Sequence, residues 1–124
     1  MLVPYNDLSR QNINFSEFAH LALKSCITNS SFIAGVHVSD FEKDFARACA
    51  SPYSVGCANG TDALLAALKC VGLKAGAEVI VPAVSWIATS EVVSLLGARP
   101  VFCDVNYSDG TINADLISEL INPN

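Results

Sequence analysis

The stretch "CANGTD", residues 57–62, has the composition of an anion-binding turn at the start of a helix. Gly60 has no side chain and lets the backbone approach a ligand, and Thr61 adds a hydroxyl group. The first amides of a helix lack partners within the helix and point outward at the positive end of its dipole. The turn therefore indicates a phosphate site. The alternative is a plain helix start, with Thr61 as the cap and Asp62 complementing the dipole.

This turn differs from the two common glycine-rich phosphate motifs. No Gly-Lys-Ser/Thr follows it, as a P-loop requires. Gly56 and Gly60 also do not fit the dinucleotide pattern G-x-G-x-x-G. A phosphate bound here would be held by a turn of another kind.

Trp86, the single tryptophan of the chain, stands at the predicted start of a later helix. A flat indole beside a phosphate site suggests stacking on a planar ring, and packing in the core is the alternative. Asp104 follows a predicted strand and is interpreted as a turn or cap residue. His20 and His37 have no neighbours in sequence that indicate catalysis or a metal site, so we expect no metal-binding residues.

Strands and helices alternate from Tyr53 onward. The predicted strands are residues 53–58, 77–83 and 99–105, and the predicted helices are residues 61–71, 85–97 and 113–121. This alternation is typical of βαβ units, in which helices cover a parallel sheet. Ligands of such sheets bind beyond the carboxyl ends of the strands, where the turns with Thr61, Trp86 and Asp104 are expected.

Two further helices are predicted before the first strand. Residues 16–27 form an amphipathic pattern with Ser16 as a possible N-cap. Residues 39–50 follow Ser39, with Glu42 three residues on, as in a capping box.

The composition excludes several classes of function. The net charge is -5 without a cluster of Lys or Arg, which argues against nucleic acid and anionic membranes as partners. No apolar run approaches the ~20 residues that span a bilayer, and the first residues do not form a secretion signal. Five cysteines without a C-x-x-C pair predict buried, reduced thiols in a cytoplasmic protein.

Charged residues are unusually few. They make up 15% of the 124 residues, against roughly 25% in ordinary soluble domains, whereas hydrophobic residues reach 52%. The chain therefore has a large buried interface or is one piece of a larger protein.

In the order of its motifs and predicted elements, the sequence resembles the amino-terminal part of the DegT-type sugar-nucleotide aminotransferases. These are pyridoxal-phosphate-dependent enzymes of fold type I. The resemblance depends on "FIAGVHVSDFEKDFA", "NGTDALLAAL" and "VPAVSWIAT" and covers nearly the whole chain. It implies that residues 1–124 are the amino-terminal portion of the three-layer large domain, with no second domain present. It also implies that Gly60 and Thr61 bind the cofactor phosphate, that Asn59 beside them contributes, and that Trp86 stacks on the pyridine ring.

The resemblance implies a cytoplasmic homodimer that moves an amino group from an amino acid, such as glutamate, to a keto-sugar nucleotide. The family lysine that holds pyridoxal 5'-phosphate belongs to a downstream stretch, and the four lysines here, Lys24, Lys43, Lys69 and Lys74, do not match it. We therefore assign no catalytic residue and expect the chain alone to be inactive.

Three alternatives to an aminotransferase remain open. One is a related sugar dehydratase, in which His replaces the family lysine. Another is an inactive module that binds a phosphate-bearing ligand or only associates with other chains. The third is an unrelated nucleotide-binding half-domain.

Overall fold

The computed structural model describes residues 3–122. The chain divides into two compact units, Met1–Gly56 and Cys57–Asn124. The first unit contains helices α1 (Ser9–Thr28) and α2 (Val36–Ala48). The second contains α3 (Gly60–Cys70), β1 (Glu78–Pro82), α4 (Ala88–Leu95), β2 (Arg99–Cys103) and α5 (Ala114–Leu120).

Strands β1 and β2 pair in parallel, with Glu78 opposite Arg99 and Pro82 opposite Cys103. Helix α4 connects them, so the predicted βαβ unit is present. Pro82, which has no amide hydrogen, occupies the last position of its strand, where a lost ladder hydrogen bond costs least.

The core of the second unit lies where α4 covers the sheet. Val81 from β1 packs with Val92 and Val93 from α4, and Ala98 completes the buried cluster. Half-buried Leu65 and Leu68 of α3 pack against it. Each buried valine stabilises the fold by about 1.5–3 kcal/mol relative to exposure, so this small cluster holds α3, α4 and the sheet together.

The turns that lead into β1 and β2 are joined to each other. The amide of Gly76 donates to the carbonyl oxygen of Gly97 at 2.8 Å. Gly97 has φ +73°, and a Cβ there would lie 3.2 Å from the Cβ of Ala75, so this position favours glycine. At the start of β1, the carboxylate of Glu78 pairs with Arg99 and accepts a hydrogen bond from Asn122.

The prediction of a strand at residues 53–58 is wrong. Within residues 3–122 the sheet contains β1 and β2 alone. A strand requires its backbone groups to join a ladder, but the amide of Gly56 donates to the carboxylate of Glu42 at 2.7 Å. Glu42 therefore holds this segment and does not take part in a capping box.

Both early helices begin before their predicted caps. Helix α1 begins at Ser9, and Ser16 lies within it, with its hydroxyl donating to the carbonyl of Ile13. Helix α2 begins at Val36 after the extended residue Gly35, whose carbonyl oxygen accepts from the amide of Ser39. Backbone groups upstream of each serine continue the helix, so neither serine is needed as a cap.

The prediction of buried thiols holds for one cysteine. Cys103 at the end of β2 is buried, and Cys26 is half-buried. Cys49, Cys57 and Cys70 are exposed, because they lie at or beyond helix ends away from the core.

Candidate functional site

The turn before α3 is organised by Asn59. The side-chain oxygen of Asn59 accepts a hydrogen bond from the amide of Asp62 at 2.9 Å, and its amide group donates to the Asp62 carboxylate at 3.1 Å. Asn59 is therefore the N-cap, and the interpretation of Thr61 as the cap is wrong. Asn at this position, followed by Asp three residues later, is a sequence signal that could have identified the cap.

Capping by Asn59 leaves polar groups of the first helical turn available. The amide of Asp62 bonds to the side chain of Asn59, and the amide of Ala63 bonds to its carbonyl. Within the described part of the chain, the amides of Gly60 and Thr61 and the hydroxyl of Thr61 have no hydrogen-bond partner. A Cβ built on Gly60 would meet nothing within 4 Å, so open space adjoins these donors. The groups present fit a phosphate, which accepts from backbone amides and a hydroxyl.

Trp86 lies in the turn between β1 and α4, because α4 begins at Ala88 and not at residue 85 as predicted. Trp86 is 79% exposed, so the alternative that this indole packs in the core is wrong for the described residues. Trp86 borders a cavity of about 150 Å³, which Ser85, Thr89 and Phe102 also line.

The topology brings the start of α3 and the Trp86 turn to the same edge of the sheet. The turns after α3 and α4 are joined through Gly76 and Gly97, and each leads into a strand, so they mark the amino edge. Helices α3 and α4 pack against each other. Both end near the amino edge, so their first turns lie at the opposite end. An eleven-residue helix is about 16 Å long, similar to a five-residue strand. The first turn of α3 and Trp86 therefore both lie toward the carboxyl edge.

The other candidate residues lie outside this arrangement. Asp104 accepts from the amide of Val105 at 2.8 Å and lies between β2 and the bridge of Val105 with Ile112, so its interpretation as a turn or cap residue is wrong. His20 lies in α1, and His37 lies in the first turn of α2. Residues 3–122 contain no group of three or more His, Cys, Asp or Glu that could hold a metal ion. None of the helices in those residues has the length and hydropathy to cross a membrane.

A feature that sequence reasoning missed is the hydroxyl pair on either side of Trp86. The Oγ of Ser85 lies 2.8 Å from the Oγ1 of Thr89. The i, i+4 spacing of two hydroxyl residues across a helix start is the signal that was available.

The chain is similar to a known protein family and to individual relatives. The model of the DegT/DnrJ/EryC1/StrS aminotransferase family matches residues 14–124. The UDP-2-acetamido-2-deoxy-3-oxo-D-glucuronate aminotransferase of Pseudomonas aeruginosa is 30% identical over 98% of this chain and is itself covered to 34%. The chain thus spans about a third of the length of this curated relative.

Solved structures agree with this match. The S. venezuelae protein DesV, solved in complex with a ketimine intermediate, superimposes with a TM-score of 0.92 at 31% identity, covering 98% of this chain and 33% of DesV. A GDP-4-keto-6-deoxymannose-3-dehydratase, solved with a trapped PLP-glutamate geminal diamine, has a TM-score of 0.73 at 32% identity, covering 84% and 28% of the two chains.

These likenesses confirm the predicted fold class, an α/β part of a fold-type I aminotransferase large domain. Together with the family match, they point to pyridoxal 5'-phosphate as the cofactor, as predicted. Because the family model matches most of its length, the chain belongs to the DegT/DnrJ/EryC1/StrS aminotransferase family.

Proposed function

We propose that this chain provides the phosphate and ring contacts of a pyridoxal-phosphate site in a sugar-nucleotide aminotransferase. Gly60 and Thr61 bind the phosphate, Asn59 shapes the turn, and Trp86 covers the pyridine ring. The observation that carries the proposal is the set of donors at the start of α3 that have no partner within residues 3–122, beside the open space at Gly60.

The chemistry of this edge suits the cofactor. When bound, pyridoxal phosphate supplies an electron sink for carbanions, and the protein supplies binding and orientation. Two amides and a hydroxyl can donate hydrogen bonds to a phosphate at the positive end of the α3 dipole. The exposed indole of Trp86 offers a flat apolar face, which a pyridine ring would remove from water.

The reaction of the whole protein is also part of this proposal. The names of the relatives support transfer of an amino group to a keto-sugar nucleotide, with glutamate as the expected donor. Residues 1–124 are then the amino-terminal portion of the cofactor-binding large domain. The dehydratase branch is the alternative within the family.

We expect a cytoplasmic homodimer. Its support is the low charge content and the exposure of large apolar side chains, including Phe18, Phe32 and the stacked pair Phe41 and Phe45. Large apolar side chains exposed in such number are typical of a surface that another chain or another part of the protein covers. Exposed cysteines such as Cys49 and Cys70 suit a reducing compartment.

These 124 residues alone are expected to bind but not to transaminate. Lys69 lies in the last turn of α3, about 12 Å along the helix axis from Thr61, and Lys74 lies beyond the end of that helix. Neither amine is positioned to move a proton on a cofactor held at Thr61. This observation also favours the second candidate function, a binding module without catalysis. Borohydride fixation of pyridoxal phosphate on one specific lysine would contradict this expectation.

The test uses the single tryptophan as a probe. Pyridoxal phosphate is titrated into the chain, and quenching of Trp86 emission reports binding. Thr61→Ala is expected to weaken binding by about 5- to 150-fold, the equivalent of about 1–3 kcal/mol. The melting temperature should change little, because the hydroxyl has no partner among the described residues. Thr61→Ser should bind nearly as the parent.

Two controls complete the test. Ser118→Ala removes an exposed helix hydroxyl from α5 and should leave the affinity unchanged. Pyridoxal, which lacks the phosphate, should bind the parent and Thr61→Ala equally weakly. If Thr61→Ala lowered the melting temperature but not the affinity, the turn would be a structural helix start and the proposal would fail.

A further inference from the structure

Two hydroxyl groups bracket the turn that carries Trp86. The Oγ of Ser85 and the Oγ1 of Thr89 lie 2.8 Å apart, and either can be the donor. The amide of Thr89 also donates to the carbonyl oxygen of Trp86 at 3.0 Å. Thr89 therefore holds the turn through its backbone and its side chain together.

The core does not hold the indole in place. Trp86 is 79% exposed, so few packed neighbours restrict its side chain. Ser85, Thr89 and Trp86 border the same cavity of about 150 Å³, with the ring of Phe102 from β2. The backbone of the turn, which the hydroxyl pair closes, consequently fixes the direction of the Cα–Cβ bond from which the indole extends.

We propose that Ser85 and Thr89 are positioning residues that fix the backbone at Trp86, so that the indole is presented ready to stack on a planar ligand. The part that concerns the ligand rests on the proposed function. An ordered turn reduces the conformational entropy lost when a ring binds. A purely structural role is the competing explanation, since Ile87 gives α4 no side-chain cap and the pair could simply stabilise the helix start.

The experiment compares three variants of the 124-residue chain. Thr89→Val removes the hydroxyl at nearly constant shape, and Thr89→Ser retains it. Ser94→Ala is the matched control, because the hydroxyl of Ser94 also bonds within α4, to the carbonyl of Ser90, and it does not border the cavity. Measurements are the fluorescence anisotropy of Trp86 in the free chain, the affinity for pyridoxal phosphate and the melting temperature.

Thr89→Val is expected to lower the anisotropy of Trp86 and to weaken binding of pyridoxal phosphate by roughly three- to tenfold, the equivalent of one hydrogen bond. Thr89→Ser and Ser94→Ala should match the parent in both. Ser85→Ala, which lies outside the helix, tests the same pair and replaces Thr89→Val if that variant does not fold.

The outcomes separate this inference from the proposed function. A lower melting temperature with unchanged anisotropy and affinity would overturn the positioning role and leave the proposed function standing. If the parent chain did not bind pyridoxal phosphate, the proposed function would fail. The positioning role would then be supported by a fall in anisotropy in Thr89→Val and overturned by its absence.

Discussion

Helices α3 and α5 begin with the same local chemistry. Each follows an asparagine whose side-chain oxygen accepts a hydrogen bond from an amide of the first turn. The amide of Asp62 donates to Asn59 at 2.9 Å, and the amide of Asp115 donates to Asn113 at 3.1 Å. Each also has an aspartate in its first turn, where a negative charge suits the helix dipole. By capping alone the two helix starts are equivalent.

They differ in what surrounds the cap. The backbone of Asn113 is tied to the end of β2, since its amide donates to Asp104 at 2.9 Å and its carbonyl oxygen lies 3.5 Å from the Sγ of Cys103. The start of α3 has Gly60 beside open space and the Thr61 hydroxyl without a partner in the described residues. An asparagine caps the helix in both places. The start of α3 differs from the start of α5 in the hydrogen-bond donors that remain available to a ligand after capping.

The largest predicted effect comes from a negative charge at the first helical position. Gly60→Glu should weaken binding of pyridoxal phosphate by at least about tenfold, since like charges a few ångström apart near a surface repel by more than about 1 kcal/mol. Stability should not fall, because a carboxylate suits a helix start and a Cβ at Gly60 meets no protein atom.

Ala114→Glu, at the same position of α5, is the matched control for Gly60→Glu. It should leave the affinity unchanged. Equal loss of affinity in the two variants, measured by Trp86 quenching, would show that net charge and not the start of α3 governs binding.

A smaller effect is expected from removing the caps themselves. Asn59→Ala and Asn113→Ala should each lower the free energy of unfolding in urea by about 1 kcal/mol, because each loses one capping hydrogen bond. Asn59→Ala alone should also weaken pyridoxal phosphate binding, by roughly threefold, through the shape of the turn. If both variants bound as the parent does, Asn59 would act only as a cap.

The smallest effect concerns the loop that precedes α5. The backbone amide of Thr111, and then its hydroxyl, donate to the carboxylate of Asp109 and lower its pKa below the ordinary value. Because the folded pKa is lowered, this contribution to stability is complete above the ordinary pKa and is lost as the pH falls through the folded value. Thr111→Val should raise the pKa of Asp109, measured by NMR titration of its carboxyl, and should not alter cofactor binding. An unchanged pKa would assign the shift to the backbone amide alone.

The sequence predicted the elements whose signals are local. Helices α3 and α5, strands β1 and β2, and the turn at 57–62 follow from runs of apolar residues interrupted by Gly, Pro and Asn. The exposure of Trp86 could not be predicted, because an indole before a helix packs equally well in a core or at an edge. The strand expected at residues 53–58 also failed, since strand formation depends on a neighbouring strand and not on the segment itself.

By itself, the sequence determined the chemical groups at the start of α3 and the family likeness, because both depend on residue type and spacing along the chain. The tertiary structure alone decided which groups remain available. It assigned the cap to Asn59 and so left the donors at Gly60 and Thr61 without partners in the part of the chain that the structure describes. It also brought Trp86 toward the edge of the sheet where α3 begins, through the packing of α3 on α4 and the joined turns at Gly76 and Gly97. Which groups are hydrogen-bonded, and which turns lie at the same edge of the sheet, depend on how distant segments are arranged in space. A local pattern of residues does not determine that arrangement.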